Sequence, residues 1–403
     1  IAAVLVCSII WRGSAGAGRG GPESTQGLPG ARPVIDAARF ASLQAALDAL
    51  PAEGGMVRLP PGTFEIREPL VLARGDVLIE GSGAATHIKN LNTDGKPALI
   101  VQHPDGAKVK NDDRLWRVQL ANFRITGNEK SGHGIEVVRV QEIFVQGVTV
   151  SYHGGDGIRL DHCYEDPRVS DCLITYNKGT GLNLMGCHDI VVVANQFEEN
   201  RDAVRCSDGF NLCMTGNCVD DHLGHGVVIE NTYGSVVSGN MIEECNGTAI
   251  ILDRECYGDT VSANVIAHNG AGVDLRDAHG CSVSANTFTI MKTDALRIGP
   301  KSNRITVTGN NFSNSFIGDN TTPGAGDSGQ DRIKRPKNAA AAGLVLAGTS
   351  DIAISGNVFS SVRPKAVALE GDTTRRIVFV ANVLVDVESD HAAIKDSVIG
   401  ENR

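Results

Sequence analysis

Between positions 202 and 254 the sequence gathers the side chains that acid–base chemistry uses: Asp202, Arg205, His225, Glu230, Asp253 and Arg254. Two carboxylates that flank a glycosidic bond can hydrolyse it, one as acid and the other as base or nucleophile. Asp202 with Glu230 or Asp253 is the candidate pair for that reaction. The other chemistry this set fits is β-elimination. There a base removes the C5 proton of a uronate while a cation or donor neutralises its carboxylate. Arg159, Arg254 and Arg276 are candidate contacts to a bound polymer. Tyr233 and Tyr257, just after the charged segments, are a candidate sugar-stacking edge or proton donor. A lattice of ion pairs on an inert surface would use the same residue types.

These residues share a face only if a repeat aligns them, and the chain carries one. A Gly or Ala followed by an aliphatic residue recurs at Gly134-Ile135, Gly157-Ile158, Gly181-Leu182, Ala203-Val204, Gly226-Val227, Ala249-Ile250, Gly272-Val273 and Ala295-Leu296, in steps of 22–24 residues. The marker returns at Gly343-Leu344 and Ala366-Val367. A second marker runs in phase: Asn122, Asn195, Asn217, Asn240, Asn264, Asn286, Asn310, Asn357 and Asn382, with Asp171 in one earlier coil. Alternating apolar runs read as strands with one face inward. One such coil cannot bury its inner face, but stacked coils bury a continuous core. The expected fold is therefore all-β: a right-handed parallel β-helix of about 23 residues per coil over residues 34–390. The Asn column is expected in a turn that tolerates a left-handed backbone. Equivalent outward positions then form columns about 4.8 Å apart per coil. One column runs His133, Asp156, Thr180, Asp202, His225, Thr248, Ala271, Asp294. A second runs Glu136, Arg159, Asn183, Arg205, Val228, Ile251, Asp274, Arg297.

Composition agrees with a solenoid. The chain has 403 residues, 47 of them Gly, and only 4% aromatic residues, which suits repeated tight turns. The net charge of −10 excludes a general nucleic-acid binder, which needs a basic face. The apolar run 1–10 and Ala15-Gly16-Ala17 read as a truncated signal peptide over 1–17, followed by a flexible segment over 18–33. The chain is accordingly expected to be secreted or periplasmic, with no membrane span. Phe40–Leu50 reads as an amphipathic capping α-helix at the N-terminal end of the solenoid. Residues 314–342 break the repeat as an inserted loop carrying Arg332 and Lys334, candidate contacts to an anionic polymer. Residues 391–403 read as a C-terminal tail. Nine cysteines follow the leader, without zinc spacing. Most are expected as small buried hydrophobes. Cys163 and Cys187, at one phase of neighbouring coils, are the pair to test for a disulfide.

Val57-Arg58-Leu59-Pro60-Pro61-Gly62-Thr63-Phe64 and Glu80-Gly81-Ser82-Gly83, after the predicted helix, resemble the opening of the pectate-lyase-like superfamily. The resemblance covers roughly residues 34–390 and implies the β-helix fold. It also implies a carbohydrate-active protein, since that superfamily holds lyases, glycosidases, epimerases and proteins without known activity. In its lyases an Arg or Lys often serves as base and Asp-bound Ca²⁺ as neutraliser. On that model Arg205 or His225 is the base, and Asp202, Glu230 and Asp253 are the Ca²⁺ ligands. Departures are clear. Asp220-Asp221, Gly224-His225-Gly226 and Arg332-Ile333-Lys334 resemble polygalacturonase pieces at the wrong spacing. Asp166-Pro167 is followed by Arg168, not by the His of mannuronan epimerases. The leading expectation is a polysaccharide lyase acting as a monomer on an anionic, uronate-containing polysaccharide or oligosaccharide. A glycoside hydrolase on the same face and a non-catalytic carbohydrate-binding or scaffold β-helix stand beside it.

Overall fold

The computed structural model describes residues 28–313 and 341–403. The expected leader, most of the segment 18–33, and Arg332 and Lys334 with nearly all of the 314–342 loop lie outside the described residues. Three parallel sheets of 17, 12 and 13 strands run the length of the described chain as a right-handed solenoid of about 14 turns. One coil shows the plan. Ile158–Asp161 lies in the 12-stranded sheet, Arg168–Ser170 in the 17-stranded sheet and Leu173–Thr175 in the 13-stranded sheet. The next coil then begins with Leu182–Met185, in register with the first strand.

The aliphatic half of each Gly/Ala marker points inward. Ile135, Ile158, Leu182, Val204, Val227 and Ile250 are all fully buried and stack coil on coil. Each contributes on the order of 2 kcal/mol through burial. Phe288, Phe312 and Phe359 stack in the same way, with centroids 4.9 and 4.6 Å apart and planes within 2°.

The Asn column is a second spine. In each of Asn195, Asn217, Asn240, Asn264, Asn286, Asn310 and Asn357, the backbone N–H and the side-chain amide both donate to the Oδ1 of the Asn one coil on. The left-handed residue is not the Asn but the Gly or Ala before it, as at Ala194 and Gly239. Asn122 and Asp171 are themselves left-handed, so they fall one position before the column. Cys172 stands in the column instead and donates its N–H to Asn195 Oδ1.

The ends differ in detail from expectation. The helix spans Leu43–Asp48, shorter than Phe40–Leu50, with Ser42 Oγ accepting the Ala45 N–H as its cap. Its Leu43 and Leu47 close the interior against Leu70, Leu99 and Phe123. Residues 391–403 are no tail. Val398–Ile399 pairs with Val378 and Phe379, and Asn402 extends the Asn spine by accepting from Asn382. Cys163 and Cys187 do not form a disulfide. Their thiols are buried and donate to the carbonyls of Val137 and Leu160.

Candidate functional site

The 12-stranded sheet places the predicted residues. Val204–Ser207, Val227–Glu230 and Thr248–Asp253 pair so that Arg205 aligns with Val228 and Ile251, and Ser207 with Glu230 and Asp253. Glu230 and Asp253 are thus outward neighbours on adjacent strands. Arg205 ties the face together, with Nη1 3.2 Å from Asp202 Oδ2 and Nη2 2.9 Å from Glu230 Oε2. Arg276, three coils beyond Arg205, lies 3.9 Å from Asp253 Oδ2 and 2.7 Å from Asp274 Oδ2. Between these arms Val228 and Ile251 form an apolar floor that faces outward yet is buried.

Asp202 and His225 work chiefly on the backbone. Asp202 is buried, and its Oδ1 accepts the His225 N–H at 2.7 Å. His225 Nδ1 accepts the Thr248 N–H at 2.9 Å. His133 and Asp156 make the same links to the N–H groups of Asp156 and Thr180. This column therefore caps the start of each following strand. Burial lowers the His225 pKa, and Arg276 and Arg205 add to the lowering against an opposing pull from Asp202. With Nδ1 accepting, the proton of the neutral ring belongs on Nε2.

The other predicted contacts scatter more widely. Arg159 sits three strands from Glu230 among Glu136, Asp161 and His133. Arg254 leaves the strand: it is a left-handed turn residue, 3.5 Å from Asp208. Arg297, in the same column as Arg205, is held by Asp294 and Glu370. Asp202, Glu230 and Asp253 do not converge. Among the described residues, the acidic, His or Cys group whose ligand atoms all lie within 4.8 Å of one another is Asp220, Asp221 and Glu244, at the 13-stranded sheet and its following turn. Those oxygens suit a hard cation.

Tyr233 and Tyr257 pair across adjacent coils, as their phase implies. They belong to a longer edge. Ring centroids step from Tyr164 to His188 (4.3 Å), to Phe210 (4.6 Å) and to Tyr233 (5.3 Å), and Arg114 lies over Tyr164 at 4.4 Å. Phe210, Tyr233 and Tyr257 are exposed. This edge follows the turn that leaves the charged sheet and so borders Ser207, Glu230 and Asp253. Tyr164, His188 and Phe210 escaped the sequence reading, although each lies seven residues after its coil's Gly or Ala, as Tyr233 does.

Comparison with known proteins gives the same architecture. Residues 76–236 match the family model described as "Right handed beta helix region". The chain is a right-handed parallel β-helix protein. Solved β-helices align over nearly its whole length. The mannuronan C-5 epimerase AlgE6 A-module of Azotobacter vinelandii is 17% identical, with a TM-score of 0.57, over 92% of this chain and 99% of that one. DFA-IIIase from Arthrobacter chlorophenolicus A6, without its lid and in complex with GF2, is 16% identical at a TM-score of 0.59, over 92% and 98%. A mutant tailspike protein of E. coli bacteriophage HK620, in complex with a pentasaccharide, is 15% identical at 0.58, over 85% of this chain and 62% of that one. No curated protein sequence matches. Among the described residues no helix is long and apolar enough to cross a membrane.

Residues 178–320 also match a model described as "Periplasmic copper-binding protein (NosD)". The donors present do not fit copper, which prefers thiolate, thioether and imidazole ligands gathered at one point. Cys187, Cys206, Cys245, Cys256 and Cys281 are buried in the coils, and burial raises each thiol's pKa; Cys213 is exposed on the 17-stranded sheet and Cys218 half-exposed on the 13-stranded sheet, so these two thiols do not share a face. His188 is part of the aromatic edge, His222 is interior, and His225 bonds backbone. The one convergent group among the described residues offers only carboxylates.

Proposed function

We propose that this β-helix is a polysaccharide-active enzyme that uses Glu230 and Asp253 as paired carboxylates on a glycan laid along the charged sheet. The observation that carries this reading is the register that sets the two side by side, each fixed by an arginine, next to an exposed aromatic edge. Strands about 4.8 Å apart suit the carboxyl spacing of about 5–5.5 Å used in retaining glycoside hydrolysis. The aromatic edge supplies ring faces along the coil axis, as an extended polymer requires. Structural neighbours that include a mannuronan epimerase and a tailspike holding a pentasaccharide support a carbohydrate partner.

The same contacts favour hydrolysis over the β-elimination expected from sequence. Arg205 is engaged by two carboxylates and orients them, which does not leave it free as a base. His225 presents Nε2–H outward and so acts as a donor. Arg159, Arg205, Arg276 and Arg297 each lie within 4.0 Å of a carboxylate, so none of these four stands ready to neutralise a uronate. Incubation with pectate, alginate, glycosaminoglycans, xylan and β-glucans tests the choice. New reducing ends without unsaturated product are expected from at least one of them. Unsaturated uronate products would overturn the hydrolytic reading in favour of elimination. Because the carboxylates are held by arginines, EDTA is expected to leave the rate unchanged within about twofold; loss of activity restored by Ca²⁺ would contradict this. We also place the protein outside the cytoplasm, from the apolar run 1–10 and Ala15-Gly16-Ala17. N-terminal sequencing of exported protein checks this, with a start just after Ala17 expected and a retained leader contradicting it.

A further inference from the structure

A second aromatic feature lies on the opposite border of the charged sheet, at the turn that enters it. Tyr152 and Tyr176, one coil apart, stack with centroids 5.0 Å apart and planes 5° from parallel. Tyr152 is 54% exposed, the largest exposure of any described tyrosine, whereas a buried pair would serve only the core. No ring continues the stack beyond it, because Thr126 aligns with Ser151 and the next residue there is Gly127. Gly127 is held to that identity by His153, whose ring would meet a Cβ at 2.4 Å. The result is a cleft of about 550 Å³ beside the stack, within the usual size range of small-ligand sites.

Polar groups converge on the same cleft. Glu129 and Lys178 pair across its rim at 2.9 Å, and Glu199 lines it on the coil beyond Tyr176. His153 is completely buried in its wall, packed against Gly127. With Lys178 paired to one carboxylate and a second carboxylate present, the cleft is acidic, which disfavours uronates and other anionic sugars.

We propose that this cleft is a separate binding site for a neutral pyranose, stacked on Tyr152 and hydrogen-bonded by Glu129, Lys178 and Glu199. The site rests on the reading that the protein handles glycans, but not on the chemistry of Glu230 and Asp253. It gives the β-helix a second hold on a chain, on the other border of the charged sheet from the Tyr164–Tyr257 edge.

The test is calorimetric titration of the full chain carrying Glu230→Gln, which removes turnover from the measurement, with cellohexaose, xylohexaose, mannohexaose and oligogalacturonate as probes. At least one neutral hexasaccharide is expected to bind. Adding Tyr152→Ala should weaken that binding at least fivefold, while adding Tyr152→Phe, which keeps the ring, should leave it within twofold. Adding Val378→Ala, an exposed residue of the 17-stranded sheet away from both aromatic borders, should also leave it within twofold. Absence of binding by every neutral probe, a smaller effect of Tyr152→Ala with the fold intact by circular dichroism, or an affinity lost on Tyr152→Ala that is greater for oligogalacturonate than for any neutral probe would overturn the proposal. Failure of Glu230→Gln to abolish turnover would instead count against the carboxylate chemistry alone.

Discussion

At the scale of single residues, the charged face is a set of carboxylates whose positions depend on arginine. Asp202 is buried and keeps only the His225 N–H if Arg205 is removed. Arg205→Ala should therefore destabilise the fold by about 2 kcal/mol, less than for a fully buried pair because the arginine is 34% exposed. Urea unfolding measures this, and an unchanged midpoint would show that the arginine does not hold Asp202. Two interior histidines contribute to the acid response. Burial lowers both His153 and His222 to about 4. In the unfolded chain they protonate near 6.5, so the unfolded state takes up protons first. The stability they contribute is complete above pH 6.5 and is lost as pH falls toward 4, by up to roughly 3 kcal/mol each. Asp259, raised to about 6 by burial, works in the opposite sense between about pH 4 and 6. The comparison must therefore be by variant. His222→Asn, which restores the amide found at Asn200 and Asn269 in the same column, should shrink the loss in unfolding free energy between pH 7 and pH 4.5. An unchanged loss would contradict the assignment.

At the scale of elements, the repeat was legible because both of its markers have physical causes. The Gly or Ala leaves room for the next coil's backbone: a Cβ on Gly226 would lie 2.5 Å from the Ala249 carbonyl oxygen. The Asn carries a buried ladder that no other side chain reproduces. What the sequence could not reveal was which residue of the turn takes the left-handed conformation. Asn is itself a left-handed residue by preference. Asn122 and Asp171 therefore aligned with the column, although their backbones place them with the Gly and Ala before it. The ladder has a direct consequence. Asn240 donates to Asn264 Oδ1 and the Met214 carbonyl, and accepts from Asn217. Asn240→Ala strands several buried groups at once and should cost about 3 kcal/mol. The aromatic edge was only half legible for a related reason. Tyr, His and Phe alternate in its column, so no single letter repeats, and Tyr257 is displaced by the extra left-handed residues Arg254 and Glu255.

At the scale of the whole molecule, stacking converts sequence spacing into lateral distance, and that is why the fold and the charged face were readable. The columns aligned from the Gly/Ala marker are those the strands pair, from Glu136 to Arg297. Spacing alone could not say how each side chain is used. Asp202 and His225 looked catalytic by type, but their atoms bond the next coil's backbone; Glu230 and Asp253 looked equivalent to them and face outward with an arginine each. The proposed carboxylate pair is tested most directly by the turnover of Glu230→Gln and Asp253→Asn on any polysaccharide that the wild-type protein is found to cleave. A loss of at least about 100-fold is expected for each, with the unfolding temperature within a few degrees of wild type. Turnover within a few-fold of wild type in either stably folded variant would contradict it.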